Sequence, residues 1–289
     1  MELELLNSII PELKQNSSVL TGPGDDCAVV DCAGVKLLLA ADSVTENIHF
    51  TADTAPELAG AKLVKRNLSD IAAMGGTPLW MLLTLADCGH DIQWLRKFVS
   101  GAEAAAEEFG VPITGGDTSS LHSPGFTASV TIIGRADTPV LRSGAKPGDI
   151  LYVTGEIGNS FLSQHHLNFT PHLAEGRFLA KYANAMMDIS DGLLLDAARM
   201  AAASNVDIFI DPQAVPLRSG AALLQALSDG EDYGLLFCCK QDIDMEKEFN
   251  KQNFPAKLTR IGCVRAGNGM VREFSTGRPF NLEHHGYEH

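Results

Sequence analysis

The sequence has few positive charges: 22 lysine and arginine residues stand against 36 aspartate and glutamate residues, for a formal net charge of −14. A surface this acidic repels a polyphosphate backbone, which argues against a nucleic-acid-binding protein. A phosphate-containing substrate would therefore need a cation between itself and the protein, and a divalent metal ion is the expected choice.

Long apolar runs are also absent, since the longest examples, residues 35–41 and 79–86, fall far short of the roughly 20 residues of a transmembrane helix. The 6 cysteines form no C-x-x-C pair, so no zinc or redox motif is indicated and reduced interior thiols are expected. The first residues are acidic where a signal peptide is basic. Together these features predict a cytoplasmic protein.

The familiar nucleotide-binding motifs are missing as well. The chain has no G-x-x-x-x-G-K-[ST] loop and no protein-kinase signature set, so ATP would have to bind through another architecture. No EF-hand loop is present, which argues against a calcium-binding protein of that type.

Strands and helices alternate along the chain, which predicts an α/β or α+β fold. The expected strands cover residues 36–44, 79–86, 111–114, 126–135, 150–154, 206–210, 233–239 and 258–265. The expected helices cover residues 56–74, 92–109, 219–227 and 241–252, with two more between 158 and 182 and one ending near 203. The polar, Gly/Pro-rich segment 142–149 predicts a boundary between a domain at 1–147 and a domain at 148–289.

Several aspartates follow apolar runs or lie beside glycines. They are Asp25, Asp26, Asp42, Asp70, Asp117, Asp188 and Asp191. Taken singly, each has an ordinary interpretation as a turn residue, a helix cap or a solvated side chain. As a set, they are expected to converge at one edge of a sheet, where their mutual repulsion would be relieved by Mg²⁺ ions shared with a phosphate substrate.

Two glycine-containing segments are candidate phosphate-binding sites. Residues 115–118 (GGDT) follow a predicted strand, and Asp191-Gly192 opens a predicted helix. Backbone N–H groups can approach phosphate oxygens at such places. An ordinary turn is the alternative for each.

In order along the chain, nine motifs resemble those of thiamine-monophosphate kinase. They are GPGDDCAVV, AADSVTENIHF, NLSDIAAMGG, ITGGDT, RSGAKPGD, VTGEIGNS, MMDISDGLLLD, GEDYGLLF and TRIG. That family belongs to the superfamily of aminoimidazole-ribonucleotide synthetase and selenophosphate synthetase. The resemblance extends from about residue 22 to residue 286.

The resemblance implies a two-domain α/β protein of PurM-like architecture. An N-terminal mixed sheet with helices would pair with that of a second subunit into a barrel-like homodimer core, and a C-terminal α/β domain would complete the substrate site. The implied reaction is a direct in-line transfer of the γ-phosphoryl group of ATP to thiamine monophosphate, with several Mg²⁺ ions bridging the phosphates and no covalent phosphoenzyme.

The resemblance also implies roles for individual residues. The residues implied to bind metal are Asp26, Asp42, Asp70, Asp117, Asp188 and Asp191. Those implied to contact the nucleotide are Gly116, Asp117, Arg142 and Ser190. Substrate contacts fall to His49, Glu231 and His284. Catalysis is expected to depend on Asp42, Asp70, Asp117 and Arg142.

The chain departs from the family pattern at residues 40–41, in the segment 228–234, at residue 284 and in the region 161–172, which is short for the family. Ala40-Ala41 replaces the usual hydroxyl pair before Asp42, and His284 stands where an aromatic residue usually stacks on thiamine. These departures leave open a catalytically silent nucleotide- or thiamine-phosphate-binding paralogue, or another ATP-dependent enzyme of the superfamily. The selenophosphate and hydrogenase-maturation branches are disfavoured because the chain lacks their terminal cysteines.

Overall fold

The computed structural model of the chain describes residue 5, residues 8–280 and residue 286, and it contains two six-stranded sheets. The first sheet has the order β1-β2-β3-β6-β4-β5 and the second has the order β12-β9-β11-β7-β10-β8. The strands of the first are β1 (Val19–Thr21), β2 (Ala28–Cys32), β3 (Val35–Thr45), β4 (Thr77–Cys88), β5 (Ile113–Ser120) and β6 (Gly125–Arg135). Those of the second are β7 (Ile150–Thr154), β8 (Ala183–Asp188), β9 (Val206–Ile210), β10 (Leu235–Cys239), β11 (Leu258–Ala266) and β12 (Val271–Glu273).

Both sheets are mixed, because β4 pairs with β5 and β9 with β12 in parallel while the other ladders are antiparallel. The helices are α1 (Pro56–Ala73), α2 (Ile92–Glu108), α3 (His165–Asn168), α4 (Leu173–Leu179), α5 (Leu193–Ser204), α6 (Leu223–Ser228) and α7 (Met245–Asn250). Within the described residues, none of them has the length and apolar character needed to cross a bilayer. The predicted mixed α/β class is confirmed, whereas the domain limits 1–147 and 148–289 stay a prediction.

Helix α1 begins and ends at residues whose chemistry suits those positions. Pro56 occupies its first turn, where a backbone N–H has no intrahelical partner, and Gly75 follows its end with φ +67°.

Helix α2 packs very closely against α1. A Cβ at Gly60 would lie 2.0 Å from the Phe98 carbonyl oxygen, so glycine is required for the two helices to approach this far.

Helix α1 also lies at the junction of the two sheets. It packs against β3 and β6 of the first sheet and against α4 and β8 on the side of the second. One buried core accordingly combines Leu38 and Leu63 from the first part with Phe237 from the second. Any polar side chain that α1 presents toward β8 is therefore placed between the sheets, where the candidate site lies.

Among the described residues, helices cover one face of the first sheet and leave its other face uncovered. On the other face, the side chains of Trp80 and Leu82 in β4 are 46% and 41% exposed. Strand β5 forms the edge of this sheet, and its residues from Thr114 onward are exposed. The described residues of one chain form an open sheet and no closed barrel.

Candidate active site

Three of the six predicted metal-binding aspartates meet where the two sheets adjoin. Asp26 follows β1, Asp70 lies near the end of α1, and Asp188 is the last residue of β8. One carboxylate oxygen from each lies within 4.8 Å of the others. We call these three residues the acidic cluster.

The electrostatics of the acidic cluster favour a bound cation. Burial raises the pKa of all three carboxyl groups, and neighbouring carboxylates raise the pKa of Asp70 and Asp188 further. Asp26 Oδ2 is buried and accepts no hydrogen bond from any described residue. Hard oxygen ligands with an unused lone pair suit a divalent cation such as Mg²⁺.

Arg142 is fixed beside the acidic cluster by the loop that precedes β2. Its Nη2 donates to Asp26 Oδ1 at 2.7 Å, and its backbone N–H donates to both carboxylate oxygens of Asp25 at 3.1 Å. Burial, followed by the charge of Asp26, raises the pKa of Asp25 to about 6. The segment between β6 and β7, which contains Arg142, therefore carries its guanidinium to the acidic cluster.

Asp42 and Asp191 are bound by arginines and do not belong to the acidic cluster. Arg66 Nε donates to Asp42 Oδ2 at 2.8 Å, and Arg199 Nη1 donates to Asp191 Oδ2 at 2.5 Å. These two pairings leave each carboxylate with a positive partner from the protein itself. Neither pairing was expected from the sequence.

The predicted phosphate site at the start of α5 is occupied by a side chain of the same helix. Asp196 accepts hydrogen bonds from the backbone N–H groups of Ser190 and Asp191, both at 3.1 Å. Burial, followed by the charge of Asp191, raises the pKa of Asp196 to about 7. These two donors are therefore already satisfied, a pairing that depends on how the helix begins and is not visible in the motif.

Gly116 and Asp117 lie within a strand and not in the loop that the sequence predicts. They belong to β5, where Asp117 pairs with Thr84 of β4. A Cβ at Gly116 would lie 1.6 Å from the Leu83 carbonyl oxygen, so the glycine permits close pairing of the two strands. Asp117 is exposed in this edge strand and lies outside the acidic cluster.

A cavity of about 370 Å³ is lined by residues from both halves of the chain. Its lining consists of Ile48, His49, Arg66, Phe161, Ser190, Asp191, Ser228, Asp229, Gly230, Glu231, Tyr233 and Gly286. The structure thus brings together His49 and Glu231, the two described residues that were predicted to contact the substrate. His284 lies outside the described residues.

The segment 230–233 is held in an unusual backbone conformation at the cavity wall. Glu231 and Tyr233 both have φ +53°, in the left-handed region that non-glycine residues rarely adopt. Between them, buried Asp232 accepts hydrogen bonds from Ser160 Oγ at 2.5 Å and Arg218 Nη1 at 2.8 Å. The surrounding contacts therefore impose a conformation that the segment would not favour alone.

Lys62 ties this segment to the other half of the chain. Its side chain is fully buried, and its Nζ lies 2.7 Å from Glu231 Oε1 and donates to the His49 carbonyl oxygen at 2.5 Å. Burial lowers the pKa of Lys62 to about 8, against the opposing effect of Glu231. One ammonium group thus positions residues on two sides of the cavity.

Sequence reasoning missed Lys62, Arg66, Phe161 and Tyr233. A signal for the first two was present, because Lys62, Arg66 and Asp70 recur every four residues and so share one face of α1. Phe161 and Tyr233 carry no such pattern. Their places depend on the folding of two loops of the second half.

Comparison with known proteins gives full-length matches. The family models "AIR synthase related protein, N-terminal domain" and "AIR synthase related protein, C-terminal domain" match residues 24–136 and 110–274. The thiamine-monophosphate kinase of Rhodopirellula baltica is 32% identical over 311 residues, covering 100% of this chain and 97% of the relative. That of Aquifex aeolicus is 32% identical over 292 residues, covering 90% and 92%.

The chain belongs to the thiamine-monophosphate kinase family. Among solved structures, one described as AaThiL complexed with AMPPCP and TMP has a TM-score of 0.85 and 30% identity, covering 99% of this chain and 97% of its own. The resemblance drawn from the nine motifs is confirmed for both the family and the two-domain fold. Within this thiamine-monophosphate kinase fold, the acidic cluster and the cavity are adjacent parts of one candidate site.

Proposed function

We propose that the chain transfers the γ-phosphoryl group of ATP to thiamine monophosphate, forming thiamine diphosphate and ADP. The observation that carries this proposal is that α1 links the two parts of the site. Asp70 belongs to the acidic cluster, and Arg66, one turn earlier, lines the cavity. Relatives named thiamine-monophosphate kinase, and the related structure with AMPPCP and TMP, support the identity of both substrates.

The reaction needs charge neutralisation and alignment more than a general base. An oxygen of the acceptor phosphate forms a bond to the γ-phosphorus of ATP. The bond from that phosphorus to the β–γ bridging oxygen breaks, and ADP leaves with the electron pair. Because the acceptor is already an ionised phosphate, no proton has to be removed from it, and no covalent phosphoenzyme is needed.

Asp26, Asp70 and Asp188 would hold the divalent ion, for which we propose Mg²⁺. The unpartnered Asp26 oxygen and the raised pKa values of the acidic cluster support this assignment. When bound, the ion would neutralise phosphate charge. Metal binding by Asp42, Asp117 and Asp191 stays a prediction.

On the protein side, Arg142 is held at the acidic cluster by Asp25 and Asp26. We propose that it contacts the nucleotide phosphates through charge-assisted hydrogen bonds. Ser190 lines the cavity two residues after Asp188 and is a second proposed nucleotide contact. A nucleotide contact at Gly116 stays a prediction.

His49 and Glu231 are proposed to position the thiamine portion of the acceptor. His49 Nδ1 accepts a hydrogen bond from the Thr45 backbone N–H at 3.0 Å, so a neutral His49 ring carries its proton on Nε2. Glu231 is oriented by Lys62. His284 stays a predicted substrate contact.

An assay of the purified chain with ATP and thiamine monophosphate tests the proposed function. We expect thiamine diphosphate and ADP in equal amounts, measured by chromatography, with formation dependent on Mg²⁺ and abolished by EDTA. Binding of both substrates without a metal-dependent product would instead identify a catalytically silent paralogue, the alternative that Ala40-Ala41 and His284 left open.

We propose that the uncovered face of the first sheet pairs with a second copy of the chain. The exposed side chains of Trp80 and Leu82 and the open edge of β5 support this. Leu82→Lys should convert a dimer to a monomer in sedimentation equilibrium. Ile92→Lys, which alters a 61% exposed side chain on α2, should not; a monomeric wild-type chain would refute the pairing.

We keep a cytoplasmic location as part of the proposal. All 6 cysteines are free thiols, which suits a reducing compartment. The proposed dependence on ATP is consistent with the same location.

A further inference from the structure

Arg66 presents a guanidinium nitrogen, Nη2, that the described residues leave without a hydrogen-bond partner. Its Nε donates to Asp42 Oδ2 at 2.8 Å and its Nη1 donates to the Ser43 carbonyl oxygen at 2.5 Å. Among the described residues, Nη2 has no hydrogen-bond partner, and it is not one of the buried unpartnered atoms. Because Arg66 lines the cavity, the remaining N–H donors are available to a ligand there.

The two existing contacts hold Nη2 in a defined position. A carboxylate at Nε and a carbonyl oxygen at Nη1 hold the guanidinium from two sides, and the Arg66 side chain is only 11% exposed. A guanidinium held in this way suits a charge-assisted hydrogen bond from Nη2 to a phosphate group. Its charge is permanent, so it would attract an anionic ligand throughout the physiological pH range.

The position of Arg66 specifies which phosphate it would meet. Asp70, in the acidic cluster, lies four residues further along the same face of α1. Glu231, on the other side, belongs to the cavity wall that is proposed to hold the thiamine portion. The group that must lie between a triphosphate at the acidic cluster and a thiamine ring in the cavity is the acceptor phosphate.

We propose that Arg66 binds the phosphate group of thiamine monophosphate and so distinguishes the phosphorylated acceptor from free thiamine. The proposal rests on the proposed function and adds a substrate-binding residue that the motifs do not include. Asp42 then acts through Arg66, as the carboxylate that orients the guanidinium. This role gives Asp42 a place in the site that needs no metal ion.

Calorimetric titration in EDTA, without nucleotide, tests this role independently of turnover. Thiamine monophosphate and thiamine are titrated separately into wild-type protein, Arg66→Met and Arg66→Lys. We expect Arg66→Met to weaken thiamine monophosphate binding by about 10- to 100-fold, the effect of losing charged hydrogen bonds, with little change for thiamine. Arg66→Lys should restore part of the loss.

Two further variants separate the phosphate contact from other effects of the substitution. Lys65→Met removes a neighbouring charge on α1 that does not line the cavity and should bind both ligands as the wild type does. The double variant Arg66→Met/Asp42→Asn removes the unpaired carboxylate as well and should bind thiamine monophosphate as weakly as Arg66→Met. Thermal melting of each variant checks that it is folded.

The outcomes distinguish this proposal from the proposed function. If the wild type makes thiamine diphosphate but Arg66→Met binds thiamine monophosphate as tightly as the wild type, Arg66 only supports Asp42 and the proposal is wrong. Equal losses for thiamine and thiamine monophosphate would also overturn it. If the wild type forms no thiamine diphosphate, the proposed function fails first, and the Arg66 proposal fails with it.

Discussion

Replacing Asp70 with asparagine should lower kcat for thiamine diphosphate formation by about 10²- to 10³-fold, the usual effect of removing one preorganised electrostatic group. The shape of the side chain is kept, but the acidic cluster loses one of its three negative charges. The affinity for Mg²⁺, measured by calorimetry, should fall together with kcat. Steady-state assays at saturating ATP and Mg²⁺ measure the first effect.

In the absence of metal, Asp70→Asn should be more stable than the wild type at alkaline pH. Burial, followed by the charges of Asp42, Asp188 and Asp26, raises the pKa of Asp70 well above its usual value. A carboxyl group with a raised pKa stabilises the fold fully below its unfolded value of 3.8 and loses that contribution as the pH rises through the folded value. The loss begins above pH 3.8 and grows as the pH rises, so the gain for Asp70→Asn in EDTA should be larger at pH 8 than at pH 5.

The wild-type protein should show the corresponding pH dependence. The pKa of Asp25 is raised to about 6 and that of Asp196 to about 7. The thermal midpoint of the metal-free protein should therefore fall as the pH rises from 5 to 8. Added Mg²⁺ should recover more stability at pH 8 than at pH 5.

Asp242→Asn is a suitable control, because Asp242 is exposed and makes no side-chain hydrogen bond within the described part of the chain. It should change neither kcat nor the metal-free thermal midpoint. A large drop in the midpoint of Asp70→Asn with activity retained would mean that Asp70 is a structural residue of α1.

Lys62→Met should lower the free energy of unfolding by about 3 kcal/mol, because removing one member of a buried ion pair leaves the other charge without its partner. The ammonium group contacts Glu231 and the His49 carbonyl oxygen, which lie on two sides of the cavity. The KM for thiamine monophosphate should rise more than the KM for ATP. Denaturant titration and steady-state kinetics measure the two effects.

The pH profile distinguishes this positioning role from simple packing. The pKa of Lys62 is about 8, so its charge disappears above that pH and Glu231 loses its cation. Wild-type affinity for thiamine monophosphate should therefore decline above pH 8. At the same time, deprotonation of the buried amine should increase the free energy of unfolding.

In Lys62→Met, the affinity for thiamine monophosphate should not decline above pH 8. Lys65→Met, three residues further along α1, should keep the wild-type profile. An unchanged stability and an unchanged profile in Lys62→Met would contradict the positioning role.

Much of the fold could be predicted because local chemistry determines it. The expected helix at 56–74 differs from Pro56–Ala73 by one residue, since proline and glycine specify its ends. The expected strand at 150–154 coincides with Ile150–Thr154. The strand predicted at 111–114 was too short, because strand pairing through Gly116 extends β5 to Ser120.

The candidate site could be predicted only in part. The sequence indicated that aspartates would converge, and Asp26, Asp70 and Asp188 do lie together. It did not indicate that Arg66 and Arg199 bind Asp42 and Asp191. Partner choice among charged side chains depends on which helix faces which strand, and that information is not local.

The sequence by itself determined the mixed α/β class, eight of the twelve strands and the acidity that calls for a bound cation, because these follow from the residues and their immediate neighbours. It did not predict β1, β2, β8 or β12. The tertiary structure alone decided which three carboxylates meet, and it placed Lys62 and Arg66 between the sheets. The physical reason is that β8 and α1, more than a hundred residues apart in the chain, become neighbours only when the shared core forms.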